Sequence, residues 1–402
     1  MAELHLLSPL GFRASGVYSG IKTKQIPDVG LLICDTLATS AAVFTSNQTV
    51  AAPVIIGRKH IVKGKLRGVV ANSGNANACT GKQGERDALR MCQLAAKIAG
   101  ASLDQILPSS TGIIGHPLPM DKLERGIIEA GQYLGDSLEH ATLFADAIMT
   151  TDTKRKTAAV QFKVGKQTAT LAGVCKGSGM IGPRLAVPHA TMLAYLTTDV
   201  QIAAPVLRKL MQAAADASFN AVTVDDQTST NDTACLMASG ASDIRINTPA
   251  AIKSFTAALN EVCQSLAYQI AADGEGATKV VTIEVKSAKN DVEAKRIARS
   301  IANSPLVKCA MNGNDPNWGR IICAAGQAEA KFDPTKALLT LQGTPVFRRG
   351  GPVTFDAAAV SKALQAPEVK VVLTCGLGKG STTCWTCDLS KGYVTINADY
   401  HT

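Results

Sequence analysis

Aromatic residues are scarce in this sequence. Phe, Trp and Tyr make up 4% of 402 residues and do not interleave with the basic ones. A nucleic-acid groove usually needs a basic stripe, often with rings on which bases stack. The net charge of +9 therefore does not point to nucleic acid. Small clusters at Arg58-Lys59, Lys63, Lys65 and Arg67, and Lys154-Arg155-Lys156 read as solvated surface. At most they add a mild attraction for carboxylates or phosphates. No apolar run reaches the length of a membrane span. The start, Met1-Ala-Glu-Leu-His, has no basic region followed by an apolar core, so a secretory signal is not expected and the reading is cytoplasmic. No HExxH, GxSxG or Cys–His nucleophile pattern occurs.

Two weak motifs lead nowhere. Cys384-Trp-Thr-Cys387 is the only CxxC among eleven cysteines. Zinc would want a second pair or well-spaced histidines, and Cys375 and His401 fit poorly, so no metal is expected. A redox role would need the motif to open a helix. Here Asp388-Leu-Ser-Lys-Gly-Tyr reads as a turn into a strand, which leaves structural thiols in a reducing compartment. Gly376-Leu-Gly378-Lys-Gly380-Ser lacks the spacing of a phosphate loop and reads as a turn.

What is present is a globular composition: 46% hydrophobic and 18% charged residues, in a chain long enough for a large core and more than one substructure. Helical periodicity predicts helices over 85–99, 120–131, 203–217, 250–271 and 291–302. Strand-like runs cover 67–71, 158–164, 280–285, 321–325, 337–342, 369–374 and, near the end, 393–397. The two types intermix without a regular βαβ period. That predicts an α+β fold, a layered sandwich of mixed sheets flanked by helices, with a smaller domain in the C-terminal half.

The segment 176–199 says most about chemistry. Lys176-Gly-Ser-Gly-Met-Ile-Gly-Pro leads to Ala190-Thr191-Met192-Leu193 and on to Thr197-Thr198-Asp199. A threonine after a small residue can attack the preceding carbonyl and split the backbone. Its freed amine then serves as base for its own hydroxyl. The same few residues also suit a Gly-rich turn before a buried helix.

Other motifs run along the chain. They include Gly20-Ile21-Lys22, Asn72-Ser-Gly-Asn-Ala-Asn-Ala-Cys-Thr-Gly81, Ser110-Thr111-Gly112-Ile-Ile-Gly115 and Ile148-Met-Thr150-Thr-Asp152-Thr153. Further on come Thr228-Ser-Thr-Asn-Asp-Thr233, Asp273-Gly-Glu275-Gly-Ala-Thr-Lys279, Asp315-Pro-Asn-Trp-Gly-Arg320 and Ile396-Asn397-Ala-Asp399-Tyr400. In this order, end to end, they resemble the glutamate N-acetyltransferase family, the self-cleaving ornithine acetyltransferases of arginine biosynthesis.

The resemblance implies cleavage between Ala190 and Thr191, giving an α chain 1–190 and a β chain 191–402. It implies ping-pong transfer of acetyl from N2-acetylornithine to glutamate through acetyl-Thr191, leaves open whether acetyl-CoA is a second donor, and calls for no other cofactor. Thr111 and Gly112 are implied as the oxyanion hole, and Thr150, Lys176, Thr191, Glu275, Asn397 and Thr402 as substrate binders. The expected parts are 1–190, the first part of the catalytic sandwich; 191–280, completing it; 281–345, a smaller α/β domain; and 346–402, returning to the site. Two α and two β chains are expected to associate. Asp315–Arg320 is assigned to structure, as a helix cap or braced turn.

Three places depart from the family pattern. Fourteen residues separate Lys176 and Thr191, about four more than usual, which is cheap in loop entropy. Asp225-Asp226-Gln227-Thr228 stands where the family has Asp-Gly-Asp-Thr, so a glycine turn is expected to be remodelled. His401 occupies a tail position that is commonly small or polar. Two other functions fit the residues: a Thr-nucleophile amidase or aminopeptidase, and an unprocessed, inactive homologue acting as a scaffold.

Overall fold

Val29 to Phe44 carries only one charged residue, Asp35, and alternates its side chains between two apolar layers. Strand β2 (Val29–Phe44) is the result, and the first unit of the protein is built on it. In this computed structural model residues 3–45, 47–182 and 192–399 are described. Residues up to 220 together with 227–266 form one compact unit, and 221–226 with the rest of the chain from 267 form a second.

The other strands of the first unit are β1 (Phe12–Val17), β3 (Lys65–Asn75), β4 (Ile106–Ile113), β5 (Lys156–Val164), β6 (Gln167–Lys176), β7 (Leu193–Thr198) and β8 (Thr233–Ala238). Among the described residues they make an eight-stranded sheet, ordered β4-β3-β2-β8-β7-β6-β5 with β1 also on β2. The pairs β3–β4 and β7–β8 are parallel and the rest antiparallel. The length of β2 lets it serve β3 and β8 in turn, besides β1. Its first part pairs with β3, and after a register shift between Ile33 and Ala38 its last part, Thr39–Phe44, pairs with β8.

Alternation along β2 sends Leu31 and Ile33 into one core and Leu32 and Cys34 into another, as the period of a strand requires. The first core lies under helices Gly81–Ala99 and Met120–Gln132, through Met91, Leu123 and Ile127. The second takes Phe144 from helix Leu138–Ile148, whose ring meets Tyr195 edge-on at 5.5 Å. Full burial of a side chain of this size contributes about 1.5–3 kcal/mol.

The second unit holds β9 (Val280–Ala288), β10 (Leu338–Leu341), β11 (Thr344–Arg348), β12 (Gly351–Pro352), β13 (Glu368–Thr374) and β14 (Gly380–Cys387), in the order β12-β11-β10-β13-β9-β14. Helices Asp291–Ala302, Pro305–Asn312 and Trp318–Gly326 bury their apolar faces in the core of this sheet. The α+β class with mixed sheets and flanking helices is therefore as expected. The division expected at 345/346 does not separate compact units, because β9 and β10 share one sheet with β13 and β14. The 190/191 junction lies outside the described residues. Among the described residues no helix is long and apolar enough to cross a membrane.

Two expected strands are helical. Residues 321–325 lie in helix Trp318–Gly326, where the Asn317 side chain accepts from the Arg320 amide at 3.2 Å. Ile321, Ala324 and Ala325 then fall on one buried face. Residues 393–397 lie in helix Lys391–Asp399, started by Ser390, whose hydroxyl accepts from the Gly392 amide at 3.0 Å. Its Val394, Thr395 and Ile396 favour strands, but the local cap decides. The apolar run after residue 191 forms strand β7 rather than a helix.

Candidate functional site

Parallel β3 and β4 end side by side, with Asn72, Ser73 and Gly74 opposite Ser110, Thr111 and Gly112. Amide side chains satisfy the backbone where the ladder stops. Asn72 accepts from the Ser110 hydroxyl at 2.6 Å and donates to the Asn75 carbonyl at 2.9 Å. Asn231, just before β8, donates to the carbonyls of Ala76 (2.6 Å) and Ser110 (2.9 Å). These bonds hold the ends of three strands together without regular pairing, as buried polar groups require.

Gly112 has φ +133°, and a Cβ there would lie 2.3 Å from the Gly74 carbonyl carbon and 2.5 Å from the Asn75 nitrogen. Only glycine fits so close an approach of two backbones. Gly112→Ala is expected to push β4 away from β3 and, on the oxyanion role that the family resemblance implies for Gly112, to cut catalysis by roughly 10²-fold or more. Steady-state kinetics check it; a change under about threefold would show that the two strands tolerate separation.

Next to Gly112, the buried Thr111 hydroxyl accepts from Lys176 Nζ at 3.3 Å. Lys176 ends β6, opposite Leu193 at the start of β7. Lys176 is 2% exposed, and so deep an ammonium needs a nearby anion. Asp152 supplies it. One of its oxygens accepts from Lys156 Nζ and the Gly177 amide, both at 2.7 Å, and the other from the Thr150 amide at 3.1 Å. Burial would raise the Asp152 carboxyl, but Lys176 and Lys156 outweigh it and hold it at about 2. One carboxylate thus organises Thr150, Lys176 and the turn after β6.

A second amine lies close by. Lys22 Nζ donates to the carbonyls of Pro27 (2.8 Å) and Asp146 (3.3 Å). Burial, with Lys176 adding to it, lowers this ammonium to about 8 against the opposing pull of Asp28, Asp146 and Asp152. Lys156, read from the sequence as solvated surface, is instead 1% exposed and paired with Asp152, and Lys22, Asp152 and Asn231 received no role from the sequence. All four stand inside or beside quoted motifs, which was the available signal.

On the adjoining strand ends, the Met192 amide donates to Asp232 Oδ1, and the Met192 carbonyl accepts from the Thr233 amide at 3.0 Å. Of the expected site residues, Thr111, Gly112, Thr150 and Lys176 come together in the first unit. Glu275 and Asn397 come together in the second, where the Asn397 amide donates to the Glu275 carboxylate at 2.9 Å. Asp388 fixes the neighbouring motif, accepting from the amides of Thr278 (2.8 Å) and Lys279 (2.9 Å). Ala190, Thr191, Thr402 and His401 lie outside the described residues.

The Asp225–Thr228 departure keeps the backbone of a glycine. Asp226 has φ +56° and is held there by Thr223 Oγ1, which accepts from its amide at 3.2 Å, and by Arg299 at 3.0 Å. Cys384 and Cys387 lie on β14 as buried, free thiols, and burial raises Cys384 to about 11.

The ArgJ family model matches residues 13–402. The arginine biosynthesis bifunctional protein of Lactococcus lactis is 44% identical over 397 residues, covering 98% of both chains. That of Symbiobacterium thermophilum is 44% identical over 399 residues, again with 98% of each covered. A solved structure of the Bacillus halodurans protein of the same name is 39% identical with a TM-score of 0.51, and spans 52% of this chain and 100% of its own. The protein is an acyltransferase of amino-acid biosynthesis. The chain belongs to the ArgJ family, and its reaction is that of a glutamate N-acetyltransferase in arginine biosynthesis.

Proposed function

We propose that the chain cleaves itself between Ala190 and Thr191 and then carries acetyl on Thr191, from N2-acetylornithine or acetyl-CoA, to glutamate. Thr191 Oγ attacks the Ala190 carbonyl, the peptide nitrogen is released as an amine, and water hydrolyses the resulting ester. The new amine takes the proton of its own hydroxyl as that oxygen attacks the acetyl donor. Ornithine or CoA leaves, and glutamate removes acetyl in a second step.

The observation that carries this reading is the contact between buried Lys176 and Thr111, on the strand end facing Leu193. It sets a hydroxyl and a cation beside the start of the segment that follows Thr191. Such groups stabilise the oxyanion of each tetrahedral intermediate, with Gly112 beside them. Thr150 and Lys176 suit the carboxylate of an amino-acid substrate, and Glu275 and Asn397 are taken as substrate binders on the family pattern. Thr402 joins them on the family pattern alone. The Bacillus halodurans chain corresponds in full to about half of this one, the length expected of a 212-residue product (402 − 190). The relatives' description as bifunctional supports two donors. The α and β chains are proposed to assemble as two copies of each, in the cytoplasm.

Intact mass of the purified protein should show fragments of 190 and 212 residues. N-acetylornithine without acceptor should add one acetyl to the larger fragment, and acetyl-CoA should do the same. An intact, fully active chain would overturn the cleavage. Acetyl release that ignores glutamate would make the enzyme a hydrolase, and failure with acetyl-CoA alone would leave one donor.

A further inference from the structure

The first unit contains a cavity of about 720 Å³, beyond the far end of the strands that carry the candidate site. Asp232 and Met192 mark the site end of the parallel pair β7–β8, and the cavity lies beyond the other end, at Val200 and Ala238. Five residue steps of about 3.3 Å separate the two ends, roughly 17 Å. The size is that of a small-molecule site.

Its walls are fixed by main chain. The Gln201 amide donates to the Ile244 carbonyl at 2.7 Å, and the Ile246 amide donates to the Gln201 carbonyl at 2.8 Å. This short parallel bridge lays 244–246 beside the end of β7 and sets Arg245 at the rim. Lys65 enters from the start of β3, its Nζ 2.9 Å from Thr39 Oγ1. Buried Val200, Ile202 and Ile246 give an apolar floor.

The charge is one-sided. Lys65 and Arg245 line the cavity and no Asp or Glu does. Among the described residues neither cation is in an ion pair. Two acids close in sequence to the lining are hydrogen-bonded rather than paired with these cations: Asp243 accepts from the side chain of the lining residue Gln201 at 2.9 Å, and Asp199 from the Thr170 amide at 3.2 Å. Asn247 adds a neutral donor. Two cations over an apolar floor suit a molecule with an anionic head and an aliphatic arm. A cationic amino acid such as ornithine would be repelled.

We propose that this cavity is a second ligand site, distinct from the acetyl-transfer site, for an aliphatic carboxylate. Calorimetric titration of the purified protein with octanoate tests it. Saturable binding at one site per protomer is expected, with octanol, inorganic phosphate and ornithine each at least about tenfold weaker. Arg245→Gln should weaken octanoate about tenfold, and Asn247→Asp, which only adds a repelling charge at an exposed position, should do likewise. Acetyl transfer should be unchanged in both variants. Absence of saturable binding, octanol binding as tightly as octanoate, or unaltered affinity in both variants would overturn the site. Displacement of octanoate by N-acetylornithine would assign it to the transfer site instead and equally overturn the proposal. A variant that loses affinity only by dissociating an oligomer, seen by light scattering, would make this face an interface and also overturn it.

Discussion

Thr191→Ala is expected to give a single chain of 402 residues that folds and transfers no measurable acetyl. The residue carries two roles in the proposed chemistry, and alanine removes both. Without Oγ there is no attack on the Ala190 carbonyl, so the amine that would act as base is never freed. Without Oγ there is also no acceptor for acetyl. Loss of a nucleophile acting in concert with its base costs roughly 10⁴-fold or more in kcat. Folding should survive, because the next residue is held independently: the Met192 amide by Asp232 and the Met192 carbonyl by the Thr233 amide. Thr191→Ser keeps a hydroxyl and should cleave more slowly while retaining activity. Denaturing electrophoresis and an acetyl-transfer assay read both outcomes. An uncleaved alanine variant with wild-type turnover would remove Thr191 from the mechanism.

Asp152→Asn should cost about 3–5 kcal/mol of stability, the usual result of removing one partner of a buried ion pair. The Asp152 and Lys156 side chains are 0% and 1% exposed, and their atoms lie 2.7 Å apart. The substitution removes the carboxylate that Lys156 and Lys176 share, and weakens the acceptor for the Thr150 and Gly177 amides. Acetyl transfer should fall with stability, since Lys176 would no longer be fixed toward Thr111. The pH dependence has a defined sign. The carboxyl is lowered in the folded state from 3.8 to about 2, so its stabilisation is present above pH 3.8 and is lost as pH falls toward 2. Urea unfolding at several pH values should show this acid loss in the wild type and a shallower one in the variant. A difference under about 1 kcal/mol at neutral pH would show that the cluster contributes little.

Helix Asp291–Ala302 was fully legible, because its apolar period is unbroken and Asn290 caps it, accepting from the Glu293 amide at 2.9 Å. Strand β2 was not. Asp35 and Thr36 interrupt its pattern where the ladder shifts register, so no local rule marks the two sides as one strand. At residues 321–325 and 393–397 the apolar content suggested strands, and caps from Asn317 and Ser390 made helices instead. Thr111, Gly112 and Lys176 stood out only through the family pattern. The Asp152–Lys156 pair looks in sequence like an exposed helical i,i+4 pair. Its burial depends on β5 and β6 being folded against residues far away in the chain, which no short window records.

The strand order has one more consequence. Strands β8 and β7, which follow residue 191, lie between β2 and β6, which precede it. A cut at Thr191 would therefore leave the second polypeptide threaded through the middle of a sheet supplied by the first, laddered on both sides. The two pieces could not part while the sheet stood. Once it melted, however, they would diffuse away from each other, and re-forming the enzyme would become a reaction of second order. The same covalent event that creates the nucleophile would thereby turn a chain that folds alone into an assembly whose melting temperature rises with its own concentration.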